Sequence, residues 1–204
     1  MGRPRDLGWH RGSGSGENGP VTDLNILGIS GSLRAGSFNT ALLANAQKHA
    51  PAGMSISVYE GLGELPHYNQ DLDNDENLPE SVARLRSAIA AADGLLIATP
   101  EYNYSIPGGL KNLLDWASRP AATSVLLHKN IAIAGAAPSQ FGTVRAQLAL
   151  RQVFLWTHSH VVVKPELMLF AAHQRFDEAG NITDETTIDL LRGLLTALHD
   201  QIRG

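Results

Sequence analysis

This sequence predicts a doubly wound α/β fold: a five-stranded parallel sheet in the order 2-1-3-4-5, with helices on both faces. Three observations predict it. From Asp23 onward, short apolar runs alternate with amphipathic helical patterns. The first run is apolar enough to be covered on both sides, as strands of a parallel sheet are. A Gly/Ser-rich loop follows the first run and a loop with two tyrosines the third, and right-handed crossovers in this order set those loops side by side at the switch point.

The first strand spans about residues 24–29. A helix follows over 38–49, with Phe38, Leu42, Leu43 and Ala46 as its apolar stripe. Residues 54–59 alternate as the second strand, and a polar loop, GLGELPHYNQDLDNDEN, leads to a helix starting at Pro79, a residue suited to a first helical turn. Residues 93–99 form the third strand, and Pro107 opens a third helix that ends near Ser118. The fourth strand covers 130–136 and a long helix 143–156. The fifth strand, 160–163, is stopped by Pro165. The last helix, 184–202, sets Ile188, Leu191, Leu194, Leu195, Leu198 and Ile202 on one face.

With 204 residues the chain is long enough for one sizeable domain, taken as 23–204. Residues 1–22 are rich in Gly, Ser, Pro and Arg without apolar periodicity and read as a flexible tail; they lack the apolar core of a secretory signal. A net charge of −4 with scattered signs gives no reason to expect nucleic acid or a membrane surface as partner. No apolar run approaches the roughly 18 residues of a membrane span. A cytoplasmic protein is expected. The absence of cysteine excludes disulfides, thiolate metal sites and thiol catalysis, so any redox chemistry falls to a bound cofactor.

The first loop reads GISGSLRAGSFNTALL. Gly28, Gly31 and Gly36 allow close backbone approach to a ligand. Ser30, Ser32, Ser37, Asn39 and Thr40 offer neutral donors, Arg34 a forked cation, and a helix starts at once with its free amides. Three nucleotide and esterase patterns fail on spacing. A Walker A loop needs lysine where Ser37 stands. The dinucleotide G-x-G-x-x-G has Ser30 at its second glycine, and the esterase elbow G-x-S-x-G ends in Ser32. A mononucleotide with a terminal phosphate remains, against the plainer reading of a Ser/Gly turn that caps a helix.

The second loop, TPEYNYSIPGGLKNLLDWASRP, places Glu101, Tyr102, Asn103 and Tyr104 opposite the first. A planar heterocycle can stack on such an aromatic shelf while backbone groups bind its polar edge. The plainer alternative has the tyrosines packing at a subunit interface. A phosphate cradle and an aromatic shelf on neighbouring strand ends describe FMN across the edge of a flavodoxin-like sheet.

The sequence resembles the NADPH-dependent FMN reductase family, which includes quinone, chromate and azo-dye reductases. GSLRAGSFN resembles the family's phosphate loop, and PEYNYSIPGGLKNLLDWASRP its flavin loop. LPHYNQDLD, GTVRAQ, KPEL and RFDEAGNITDE are weaker matches. The resemblance implies that Ser32, Arg34, Ser37, Phe38, Asn39 and Thr40 surround the FMN phosphate, and that Pro100, Glu101, Tyr102, Asn103 and Tyr104 line the isoalloxazine. It implies a third contact near Ala137, Pro138 and Ser139. There the sequence departs from relatives, which often carry serine and glycine.

The resemblance further implies NADPH or NADH as donor, small oxidised acceptors such as quinones, azo compounds or chromate, and a homodimer or homotetramer, to whose interface Arg145 and Arg151 are candidates. A solvated helix face is the other reading of those two arginines. Hydride passes to the flavin N5 in ping-pong fashion, with no catalytic side chain assigned. Glu101 is read as orienting its own loop rather than as a base. His158 and His160 lack a third metal ligand. The competing functions are a flavodoxin-type electron carrier, an interaction protein with an empty site, and a supplier of free reduced flavin to a monooxygenase.

Overall fold

Strand β1 (Leu24–Ser30) is buried along nearly its whole length because it runs between two parallel neighbours, β2 (Met54–Val58) and β3 (Gly94–Ala98). β3 pairs in turn with β4 (Asn130–Ala136), also in parallel. Helix α1 (Phe38–His49) follows β1, α2 (Glu80–Ala91) follows β2, α3 (Gly108–Ala117) follows β3 and α4 (Val144–Trp156) follows β4. Helix α5 (Glu185–Arg203) completes the chain. The computed structural model describes residues 23–204, and the expected tail, 1–22, lies outside them.

Alternation along the strands divides the apolar side chains between two cores. Leu96 and Ala98 of β3 face the layer of α1 and α5, where Leu42 and Leu43 meet Leu191, Leu194, Leu195 and Leu198. Leu95 and Ile97 face the other layer, where Leu85 and Ile89 of α2, Leu110, Leu113 and Trp116 of α3, and Phe154 of α4 close over them. Each such side chain, fully buried, stabilises the fold by about 1.5–3 kcal/mol. The polar loop after β2 is anchored on α3. Trp116 Nε1 donates to Pro66 O at 2.8 Å, Asn112 Nδ2 donates to the same carbonyl at 2.9 Å, and Asn112 Oδ1 accepts from Tyr68 N at 2.8 Å.

The strand order 2-1-3-4-5 is present, with one departure at the fifth position. Two short segments share it: β5 (His160–Val161) pairs with the start of β4, and β6 (Leu167–Leu169) pairs with its end. Pro165 has no N–H for the ladder, so pairing lapses there and resumes opposite Ala134–Ala136. Helix α4 supplies donors to both segments' margins. Arg151 donates two bonds of 3.2 Å to Val162 O, and Gln147 Nε2 donates to Leu167 O at 2.9 Å. Arg151 is thus engaged within its own chain.

The carboxyl end of β4 passes very close to the end of β3. A Cβ on Gly135 would stand 2.1 Å from Thr143 Oγ1 and 2.5 Å from the Thr99 carbonyl oxygen, and both positions are buried. Overpacking of this kind costs about 3 kcal/mol. Gly135→Ala is therefore expected to lower the urea midpoint by about 1 M or more. An unchanged midpoint would show that this corner can relax.

Candidate functional site

The site is built where β1, β3 and β4 end, because their carboxyl-end loops converge there. Ser37 caps α1. Its Oγ accepts from the amides of Asn39 (3.2 Å) and Thr40 (3.4 Å), which leaves the hydroxyl proton free to donate elsewhere. Upstream, Ser30 Oγ accepts from Ser32 N at 3.3 Å and meets Thr40 Oγ1 at 3.0 Å, while Ser32 Oγ accepts from Arg34 N at 3.3 Å. These short-range bonds fold the loop into a cup. Gly31 is required at its base, since a Cβ there would lie 2.7 Å from Thr99 Oγ1.

Arg34 lines the cavity beside this cup. Its guanidinium lies 5.7 Å from the Phe38 ring centroid, and it forms no ion pair among the described residues. A Cβ on Gly36 would approach Arg34 Nη1 to 3.3 Å. An unpaired fork, a capping hydroxyl and a helix N-terminus together suit a phosphate dianion.

A cavity of about 390 Å³ opens between the loops, lined by Ser32, Arg34, Ser37, Phe38, Asn39, Pro100, Tyr102, Ala136 and Pro138. Seven of these residues are named by the sequence reading for the phosphate or the ring. Ala136 is an addition, contributed by the last residue of β4, and Pro138 is the third loop's contact. Neither a carboxylate nor an imidazole lines the cavity.

The remaining expected residues lie around it. Thr40 faces Ser30 and a neighbouring groove under Phe176. Asn39 is 2% exposed, and its carboxamide is paired with one backbone residue: Nδ2 donates to Ala136 O and Oδ1 accepts from Ala136 N, each at 2.9 Å. Its part in the site is therefore to hold the wall. Ala137 is buried, its N–H donating to Leu169 O and its carbonyl accepting from Ala172 N. Ser139 Oγ makes only a long, 3.5 Å bond to Gly142 O.

Glu101 turns away from the cavity toward α4. Its Oε2 accepts the backbone N–H groups of Arg145 (2.9 Å) and Ala146 (3.3 Å), and its Oε1 pairs with the Arg145 guanidinium. Thr143, at the start of α4, makes no side-chain cap, so Glu101 caps the helix from 44 residues away. Asn103 and Tyr104 sit at φ 48° and 66°, the centre of a tight turn closed by reciprocal bonds between Tyr102 and Ser105 (2.9 and 3.0 Å). The Tyr104 ring lies against Arg145. His160 stacks on His128 at 5.6 Å, and among the described residues no three His, Asp or Glu side chains form a metal cluster.

Known proteins share this architecture. The chain is 45% identical over 181 residues to an NAD(P)H-dependent FMN reductase of Pseudomonas aeruginosa, covering 89% of this chain and 96% of that one. It is 38% identical over 181 residues to a quinone reductase of Escherichia coli, covering 88% and 96%. A solved structure, the flavoenzyme NAD(P)H:(acceptor) oxidoreductase FerB from Paracoccus denitrificans, superposes with a TM-score of 0.80 at 36% identity, covering 88% of this chain and 97% of that one. The sequence model of one family, described as NADPH-dependent FMN reductase, matches residues 24–174, the whole span that builds the cup, the shelf and the cavity between them. The chain therefore belongs to the NADPH-dependent FMN reductase family.

Proposed function

We propose that the protein binds FMN at this sheet edge and uses NADPH or NADH to reduce quinones, with azo compounds and chromate as further acceptors of the same kind. The observation that carries the reading is the cavity that joins the unpaired Arg34 fork and the Ser37 hydroxyl to the Pro100–Tyr102 wall. One end suits a phosphate and the other a flat ring. The names of the related FMN and quinone reductases support the same activity.

Bound FMN would supply the redox chemistry, taking a hydride from the nicotinamide and delivering electrons to the acceptor. Arg34, Ser32 and Ser37 would hold the phosphate. Pro100 and Tyr102 would orient the ring and keep water from one side of it. Asn103, Tyr104, Ala137 and Ser139 would act from behind, shaping the loops that carry these contacts. With no carboxylate or imidazole lining the cavity, the chain's contribution rests on orientation and exclusion of water. Both substrates would then occupy the same open face in turn. Double-reciprocal plots for NADPH and benzoquinone are expected to be parallel; intersecting lines would require a ternary complex and sink the shared face.

A cytoplasmic setting matches the nicotinamide donor, and no described helix is long and apolar enough to cross a membrane. Assembly as a homodimer or homotetramer belongs to the same reading. It is supported by α4, which exposes Leu148, Leu155 and Trp156 beside a groove of about 670 Å³ against α3. Trp156→Glu is expected to reduce the mass measured by light scattering to that of a smaller species or the monomer. An unchanged mass would move the interface elsewhere.

Arg34→Ala tests the phosphate end. Loss of a charge-assisted fork should weaken FMN binding by about tenfold or more. The check is flavin fluorescence quenching during titration of the apoprotein, followed by anaerobic bleaching with NADPH. A wild-type protein that binds no FMN would overturn the function proposed here.

A further inference from the structure

We propose that Arg145 is a positioning residue for the cofactor, acting without contact by clamping the 100–105 loop at two points; this rests on the FMN reading above. The loop needs such a clamp because of its backbone. Asn103 and Tyr104 are consecutive non-glycine residues in the left-handed region, closed by the reciprocal Tyr102–Ser105 pair, which makes the two-residue turn with both central φ angles positive. Asparagine tolerates the first central position. The second ordinarily takes glycine, and an aromatic residue there is disfavoured by its own Cβ.

What Tyr104 has that glycine lacks is a ring, and the ring meets Arg145. The guanidinium carbon lies 3.6 Å from the Tyr104 centroid, with the Phe141 ring 5.3 Å away. The same guanidinium pairs with Glu101. Arg145 therefore grips the loop on either side of Tyr102, the residue that faces the cavity, and its own backbone is fixed in the first turn of α4 by Glu101 Oε2. Its Nε is buried without a hydrogen-bond partner, so the side chain keeps this pose at the expense of a donor. Removing the guanidinium leaves the backbone N–H donors of α4 on Glu101 Oε2, releases the grip on the loop, and takes the counter-charge from the buried Glu101 carboxylate, which is why the melting temperature is read beside the binding.

The test compares wild type, Arg145→Ala, Arg145→Lys, Tyr104→Ala and the double Arg145→Ala/Tyr104→Ala variant. For each, the FMN dissociation constant of the apoprotein is measured by fluorescence quenching, the flavin midpoint potential by redox titration, and the apoprotein melting temperature by circular dichroism. Arg145→Ala is expected to weaken FMN binding about tenfold and to shift the potential, with Arg145→Lys intermediate, because lysine restores charge but not the planar stack. The double variant should lose no more than the worse single variant, since both substitutions break one clamp. Wild-type affinity and potential in Arg145→Ala, or fully additive losses in the double variant, would overturn the role. If Arg145→Ala does not fold, Tyr104→Ala decides: its ring is exposed, and wild-type binding and potential in that variant overturn the clamp. Failure of the wild type to bind FMN is a separate result, which removes the functional reading and this role with it.

Discussion

The site depends on a pair of hydrogen bonds in its wall. Asn39, in the first turn of α1, buries its carboxamide and exchanges two hydrogen bonds with the backbone of Ala136 at the end of β4. β3 lies between β1 and β4, so this amide bridges the ends of β1 and β4 and ties the loop after β1 to the loop after β4. A buried amide that loses its partners costs about 1–3 kcal/mol, which makes the arrangement close to all-or-none. One wall of the cavity is thus held by a side chain that is tied to the backbone of β4.

A second long-range contact sets the cavity's other wall. Glu101 leaves the loop after β3 and completes the N-terminus of α4. The two contacts share a logic: a polar side chain from one loop satisfies backbone groups of another element, and each loop's shape becomes a property of the assembled sheet. A scaffold of this kind presents a preformed site, with its donors oriented before a cofactor arrives.

The fold was legible because its signals are local and repeated. Helix α1 begins and ends where the apolar stripe of Phe38, Leu42, Leu43 and Ala46 predicts, and Ser37 caps it. Strand order followed from the number of alternating units and crossover handedness. Much of the cavity lining was legible too, because Arg34, Ser37 and Tyr102 stand in loops whose positions the topology dictates. What was not legible was which partner each polar side chain would choose. Asn39 lines the cavity as expected, but nothing in the sequence marks Ala136, 97 residues away, as the partner of its carboxamide. Arg145 and Arg151 stand on α4 as candidates for an interface or a solvated face; the intrachain partners they also take, Glu101 for one and the Val162 carbonyl for the other, carried no sequence signal. The fifth strand ends at Val161, two residues short of the expected 163, and Pro165 carries no sign that pairing would resume at Leu167.

That resumed pairing bears on how the molecule behaves in a crowd. A sheet edge with a long, regular row of free amides and carbonyls is a template for another chain's strand. Here the β4 side of the sheet ends in two pieces, His160–Val161 and Leu167–Leu169, separated by a proline, with carbonyls at their margins already occupied by Arg151 and Gln147. A foreign strand finds no continuous ladder to extend. At this edge the interruption acts as a guard against strand-by-strand aggregation, where side chains rather than bare backbone decide what may bind.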